Sequence, residues 1–168
     1  KVFFDDLNLP KPDIYLGIGS ASHGNQTGRI MVEFEKVLLD YSPDLVLVVG
    51  DVNSTLACAI NAAKLNIMVA HVEAGLRSFD KSMPEEINRV LTDTISDYLF
   101  VSENSGLINL RSEGIYKGVH HVGNVMIDSL VNHIAKADES DILEKIGLFN
   151  KDFGLITLHR PINVDRKE

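Results

Sequence analysis

Leu45-Val46-Leu47-Val48-Val49-Gly50-Asp51-Val52-Asn53-Ser54-Thr55 opens with five aliphatic residues that do not alternate with polar ones. Such a run predicts a strand buried on both faces, as in a parallel sheet. Gly50 to Thr55 then reads as a loop with ready helix caps, followed by an Ala-rich helix from about Thr55 to Leu65 and a further strand from Ile67 to Val72. The same unit of apolar run, small polar loop and amphipathic stretch recurs on both sides. Upstream, Ile14 to Ile18 reads as a strand leading into the Gly/Ser-rich stretch Gly19 to Gly28. Ile30, Phe34, Val37, Leu38 and Tyr41 then recur at helical spacing, and Pro43 closes that helix because it disfavours helical geometry in the residue before it. Downstream, Pro84 suits the first turn of a helix whose Ile87, Val90, Leu91, Ile95 and Tyr98 line one side. Leu99 to Val101 and His120 to Val122 predict short strands, with helices from about Ser105 to Glu113 and from near Ile127. Strands alternating with helices at this spacing predict an α/β, doubly wound parallel sheet with right-handed connections. Residues 136–153 are more polar and read as the passage from a first domain, 1–135, to a second that opens with a strand at Gly154 to Leu158 and occupies 154–168.

Composition narrows the function classes. The chain has 168 residues, 45% hydrophobic and 24% charged, which describes a globular protein. No window approaches the roughly 18–20 continuous apolar residues of a membrane span, so no membrane partner is expected. The N-terminal Lys1-Val2-Phe3-Phe4-Asp5-Asp6 lacks the basic flank and apolar core of a signal peptide, and the lack of an initiator Met predicts a partial chain. A net charge of -8 argues against nucleic acid, which selects a basic stripe. It does not exclude an anionic small molecule, since local Arg, His and helix N-termini can build an anion site in an acidic protein. The single Cys58 cannot form an internal disulfide and fits a reducing cytoplasm; its small apolar neighbours predict a buried, unreactive thiol.

Ligands of open α/β sheets bind at the carboxyl ends of the strands, and here those ends carry acids. Asp51 follows the Leu45–Val49 run and Glu73 follows the Ile67–Val72 run, an interval that suits one helix and one neighbouring strand. Both carboxylates could therefore face one crevice. The competing reading makes Asp51 a helix cap and Glu73 a partner of Arg77. His71 and Glu73, two apart, share a side if the strand continues that far; a metal site begun there lacks a supporting HExxH or Cys cluster, and a satisfied polar histidine fits better. Glu85 and Glu86 follow Pro84 at a helix start, where the dipole alone favours acids. His159-Arg160 ends a strand of the second domain, where such a pair would meet the first domain's acids across a cleft. The Gly17 to Gly28 stretch matches neither a P-loop nor the dinucleotide fingerprint.

Gly50-Asp51-Val52-Asn53-Ser54-Thr55-Leu56-Ala57, His71-Val72-Glu73-Ala74-Gly75-Leu76-Arg77-Ser78 and Met83-Pro84-Glu85-Glu86-Ile87-Asn88-Arg89 resemble the non-hydrolysing UDP-N-acetylglucosamine 2-epimerases. Val122-Gly123-Asn124-Val125-Met126-Ile127-Asp128 and Thr157-Leu158-His159-Arg160-Pro161 extend the resemblance in the family's order. It implies Rossmann-like domains in a glycosyltransferase-B arrangement, here lacking the opening strand and with the second domain truncated, so that this chain alone is expected to be inactive or nearly so. It further implies a UDP-sugar substrate, no cofactor, no metal, and a homodimer in the full-length form. The implied reaction inverts C2 of the N-acetylhexosamine by elimination and re-addition of UDP. Asp51, Glu73, Glu85 and His159 match the family's catalytic residues, and Arg77, Arg89 and Arg160 are candidate substrate contacts. The resemblance leaves open a hydrolysing relative, a relative acting on a diacetamido-uronic acid nucleotide, or an inactive fragment. A glycosyltransferase of this architecture has no evident use for the Glu73 and Glu85 motifs.

Overall fold

The computed structural model describes residues 7, 9–158 and 164. Helix α1 (His23–Tyr41) leads into β1 (Leu45–Val49), α2 (Asn53–Lys64), β2 (Met68–Val72), α3 (Pro84–Ile95), β3 (Tyr98–Val101), α4 (Asn104–Ser112), β4 (Val119–His121), α5 (Val125–Asp138) and the short α6 (Ile142–Lys145). The four strands are parallel and lie in the order β1-β2-β3-β4. This is the α/β parallel architecture that the recurring apolar runs predict. By packing, the chain divides into two compact units, Lys1–Ser129 and Leu130–Glu168. The first holds the sheet. In the second, α6 and its part of α5 bury no side chain among the described residues.

The register explains where the core sits. Val48 pairs with His71 and His71 with Leu99, so these three point to one face, together with Val46, Val69 and Val101, two residues away along their strands. That face receives α2 against β1 and β2, α3 against β2, and α4 against β3 and β4. Leu38, Val46, Val48, Ala59, Ala62 and Val69 form one buried cluster, and Ala74, Leu99, Val101 and Leu110 a second. Full burial of each Val or Leu contributes about 1.5–3 kcal/mol. Ala59 and Ala62 have no accessible surface, and side chains this small let α2 lie close to the sheet.

Three local expectations fail. The Leu45–Val49 run is not buried on both faces, since Leu45, Leu47 and Val49 remain 38%, 55% and 50% exposed and no helix among the described residues covers that side. Nor do Ile14 to Ile18 and Gly154 to Leu158 form strands. An apolar run becomes a strand only where a neighbour satisfies its backbone, and neither segment pairs with the sheet; Tyr15 and Leu155 stay 84% and 85% exposed. The third concerns α3. Its periodic apolar residues predict the buried face, yet Ile87 and Leu91 are exposed while Glu86, Asn88, Thr92 and Asp93 are buried. The helix turns its polar stripe inward because that stripe ties down the loops at the strand ends.

Candidate active site

Val49 and Val72 are partners at the ends of β1 and β2. Asp51 and Glu73 therefore emerge from adjacent strands at the same edge of the sheet, as the strand-end spacing predicts. The loop after β1 is pinned at each residue. Thr55 Oγ1 donates to Val49 O at 2.8 Å, and Gly50 N–H to Val72 O at 3.1 Å. His71 Nε2 lies 2.8 Å from Gly50 O, and Asn88 Nδ2 donates to Asp51 O at 2.8 Å. Gly50 has φ +71, the left-handed conformation that glycine adopts without Cβ strain. Asp51 does not cap α2, whose N-cap is Val52; its carboxylate instead accepts a hydrogen bond from Arg89 Nη2. Asp51's side chain remains 33% exposed beside that guanidinium. It is a carboxylate held in charge contact at an open edge.

Glu73 is held differently. Its φ is +71, a conformation that costs a side-chain-bearing residue about 1–2 kcal/mol. Among the described residues no hydrogen bond or ion pair engages its carboxylate, which is only partly exposed. In particular Arg77 does not pair with it. Backbone strain at an unpaired, half-buried acid marks a position set for something other than packing. Glu85 likewise has no partner among the described residues. It lines a cavity of about 330 Å³ with Val52, Asn53, Ser54 and Asn88 from the loop, α2 and α3, and His23, Gln26 and Ile30 from α1. Asn53 links these walls, since its Nδ2 donates to Gln26 Oε1 at 2.8 Å and approaches His23 Nδ1 at 3.1 Å. Asp51 and Glu85 are thus joined through α3, while Glu73 follows the strand next to that of Asp51.

The arginines divide. Arg89 sits between Asp51 and Glu86, with Nη1 donating to Glu86 Oε2 at 3.1 Å. Arg77 is buried and committed to the protein: Nε and Nη2 grip Glu113 at 2.7 and 2.6 Å, while Nη1 donates to Asp93 Oδ2 at 2.7 Å and to Leu76 O at 2.7 Å. Burial alone would lower its pKa, but the hydrogen bonds and charges of Glu113 and Asp93 prevail and raise it. His159 and Arg160 lie outside the described residues.

Sequence reasoning takes Glu86 for a helix-dipole acid and does not single out Asn88 or Asp93. Glu86 accepts Ser78 N–H at 2.8 Å, Ser78 Oγ–H at 2.9 Å and Phe79 N–H at 3.0 Å, and so fastens the segment between β2 and α3. The available signal was the spacing 86, 89, 93 on a helix that begins among acids, a polar stripe at i, i+3 and i+7. Burial pushes the Glu86 carboxyl up, but the three donors and the Arg89 charge outweigh it and hold the group below its ordinary value of 4.5. A carboxyl depressed in the folded state contributes stability that is full above its unfolded pKa and lost as pH falls through the folded one. Acid titration of the thermal midpoint is therefore expected to show a loss below pH about 4.5 that Glu86→Gln flattens; an unchanged acid limb in the variant would show that Glu86 does not drive it. Cys58 stands apart from this edge on α2, where burial pushes its thiol up to about 11.

Comparison with known proteins identifies the family. Residues 1–168 match the family model described as UDP-N-acetylglucosamine 2-epimerase. The chain is 51% identical over 174 residues to a UDP-N-acetylglucosamine 2-epimerase of Methanocaldococcus jannaschii, covering 100% of this chain and 47% of the relative. It is 47% identical over 169 residues to the UDP-2,3-diacetamido-2,3-dideoxy-D-glucuronate 2-epimerase of Pseudomonas aeruginosa, covering 98% of this chain and 46% of that one. Among solved structures, the M. jannaschii UDP-GlcNAc 2-epimerase in complex with UDP-GlcNAc and UDP superposes with a TM-score of 0.90 at 50% identity, over 98% of this chain and 46% of its own. The chain thus spans about half the length of the curated relatives it matches. On a family match along its whole length and identities near one half, the chain belongs to the UDP-N-acetylglucosamine 2-epimerase family.

Proposed function

We propose that this chain supplies the carboxylate-bearing half of a UDP-sugar 2-epimerase active site, acting on UDP-N-acetylglucosamine. The observation that carries the reading is Glu73, an unpaired and half-buried acid held in a left-handed conformation one residue past β2. The same reading takes in the Arg89-paired Asp51, at the end of the neighbouring strand, and the cavity-lining Glu85. The proposed chemistry is elimination and re-addition. A carboxylate takes the C2 proton while the bond between C1 and the UDP oxygen breaks, leaving a C1=C2 double bond in a 2-acetamidoglucal. A proton then reaches C2 from the opposite face, and UDP re-adds at C1. Inversion requires proton donors and acceptors on both faces of the ring, which is the use a site has for more than one carboxylate. Asp51 is paired with a guanidinium, whereas Glu73 and Glu85 have no fixed cation among the described residues, which suits them to face the sugar. On this reading 1–135 is the N-terminal Rossmann-like domain, 136–153 the connection and 154–168 the start of the second domain. The family resemblance gives His159, in the Thr157–Pro161 motif, a role toward the UDP phosphates, with Arg160 a weaker candidate. The family resemblance also supports a cytoplasmic homodimer.

The test is made on the protein completed to the length of its relatives, incubated with UDP-N-acetylglucosamine in deuterated water. Deuterium at C2 together with the manno epimer of the UDP-sugar is expected. Unchanged substrate that retains its C2 protium overturns the reading. Free N-acetylmannosamine selects hydrolysis instead, and turnover only of a diacetamido-uronic acid nucleotide selects the chemistry named for the Pseudomonas relative.

A further inference from the structure

His71 has no accessible surface, so it cannot touch a substrate, yet both ring nitrogens face acceptors. Nδ1 lies 2.6 Å from Asp93 Oδ1, and Nε2 lies 2.8 Å from Gly50 O. A backbone carbonyl has no proton to give. Asp93 accepts two further donors on Oδ2, Gly75 N–H at 3.0 Å and Arg77 Nη1 at 2.7 Å, as a carboxylate does. Both ring nitrogens must therefore donate, and a neutral ring would set a lone pair against one of the two oxygens. Turning the ring over removes both contacts. The charges around it come from each packed element: Asp93 from α3, then Arg77 from the segment after β2, then Glu113 at the end of α4, which closes the chain of alternating sign.

We propose that His71 is a positioning residue for the epimerisation site: a doubly protonated ring, clamped by Asp93, whose Nε2–H holds the Gly50 carbonyl and so fixes the peptide on which Asp51 sits. Gly50 precedes Asp51 directly, so the carbonyl that His71 holds belongs to the peptide that carries the Asp51 N–H. Asn88 holds the following carbonyl, that of Asp51, from the opposite neighbour. The Asp51 carboxylate is thus located by β2 through His71 on one side and by α3 on the other.

The inference rests on the epimerase reading for its kinetic part, and its tests separate the two. The first needs no activity. In the completed protein labelled with nitrogen-15 at histidine, both His71 ring nitrogens are expected to carry directly bonded protons, as their two acceptors require; a ring with one unprotonated nitrogen overturns the charged clamp. The second is kinetic. His71→Phe keeps a planar ring and removes both donors, and it is expected to lower kcat by about 100-fold with KM nearly unchanged, the effect of a catalytic group displaced by about 1 Å. His71→Gln, which can still donate to Gly50 O, is expected to recover part of that loss. A folded His71→Phe protein with wild-type kcat overturns the positioning role. If His71→Phe does not fold, His71→Met, equally unable to donate to Gly50 O, takes its place, and wild-type kcat there overturns the role in the same way. Absence of epimerase activity in the wild type would overturn the functional reading while the nitrogen-15 result stands.

Discussion

Glu73→Gln in the completed protein is expected to lower kcat for epimerisation by roughly 10²- to 10⁴-fold, the usual contribution of a positioned acid or base, with the thermal midpoint nearly unmoved. Gln keeps the length and shape of the side chain and the same unfavourable φ. No hydrogen bond or ion pair among the described residues is broken, because Glu73 makes none. What changes is the ability to take or give a proton. Asp51→Asn is expected to cost as much in turnover but to differ in stability, since it removes the charge that Arg89 faces and leaves the guanidinium against Glu86 alone. The contrast between the two variants is the informative part. Wild-type turnover in both would show that neither acid takes part. Glu73→Gly supplies a control of opposite sign: it removes the acid and the left-handed strain together, and is expected to be inactive yet no less stable. Relief of about 1–2 kcal/mol is set against the about 0.5–1 kcal/mol of extra freedom glycine brings to the unfolded chain.

Gly75→Ala is expected to destabilise the fold by about 3 kcal/mol or more, combining overpacking with backbone strain. Gly75 has φ +80, and a Cβ there would stand 2.5 Å from Gly106 O and 2.8 Å from Gly106 Cα. Those are backbone atoms near the start of α4, not the ends of flexible side chains, so they cannot step aside without moving the helix. Gly106 is equally constrained, because its own Cβ would meet Val101 Cγ1 at 2.7 Å and Ala74 O at 3.0 Å. Two glycines face each other where the segment after β2 passes under α4, and Asn109 Nδ2 seals the approach by donating to Gly75 O at 2.9 Å. Thermal unfolding measures the effect directly. A midpoint within a degree of wild type would show that the backbones can separate at little cost. Gly24→Ala serves as the comparison, since a Cβ at Gly24 meets nothing within 4 Å and a helical glycine replaced by alanine gains stability.

These two variants also mark how far the sequence could be read. Apolar runs, each followed by a loop, predict parallel strands, and β1 to β3 lie where those runs lie, while β4 (Val119–His121) falls one residue before the expected His120–Val122. The acids at their ends follow from the same logic, which is why Asp51 and Glu73 can be selected before any contact is known. The left-handed φ of Glu73 cannot be selected so, because no composition rule places a glutamate there; the surrounding structure imposes it. Nor does periodicity reveal which face of α3 is buried. A helix with apolar Ile87 and Leu91 on one side and Glu86, Asn88, Thr92 and Asp93 on the other is expected to turn the apolar side inward. It does the reverse because each buried polar group finds a partner: Glu86 at Ser78 and Phe79, Asn88 at Asp51, Asp93 at His71, Gly75 and Arg77. Paired polar groups are compatible with burial, and pairing is a property of three dimensions. Ile14 to Ile18 and Gly154 to Leu158 fail for the complementary reason, since a strand needs a neighbour that the segment itself does not supply.

The strand order β1-β2-β3-β4 carries a consequence for how the protein is made. As the chain leaves the ribosome, each described strand after β1 finds its partner already present, so these four strands can pair one neighbour at a time. The acid-bearing edge does not follow that schedule. Asp51 emerges early, but the groups that fix its carbonyl and carboxylate, Asn88 and Arg89, arrive 37 and 38 residues later. The loop after β1 is therefore held first by Thr55, Val72 and His71, and its fixing is complete only once α3 has docked. A nascent chain stopped before residue 88 would have β1 and β2 paired and their acids still unset.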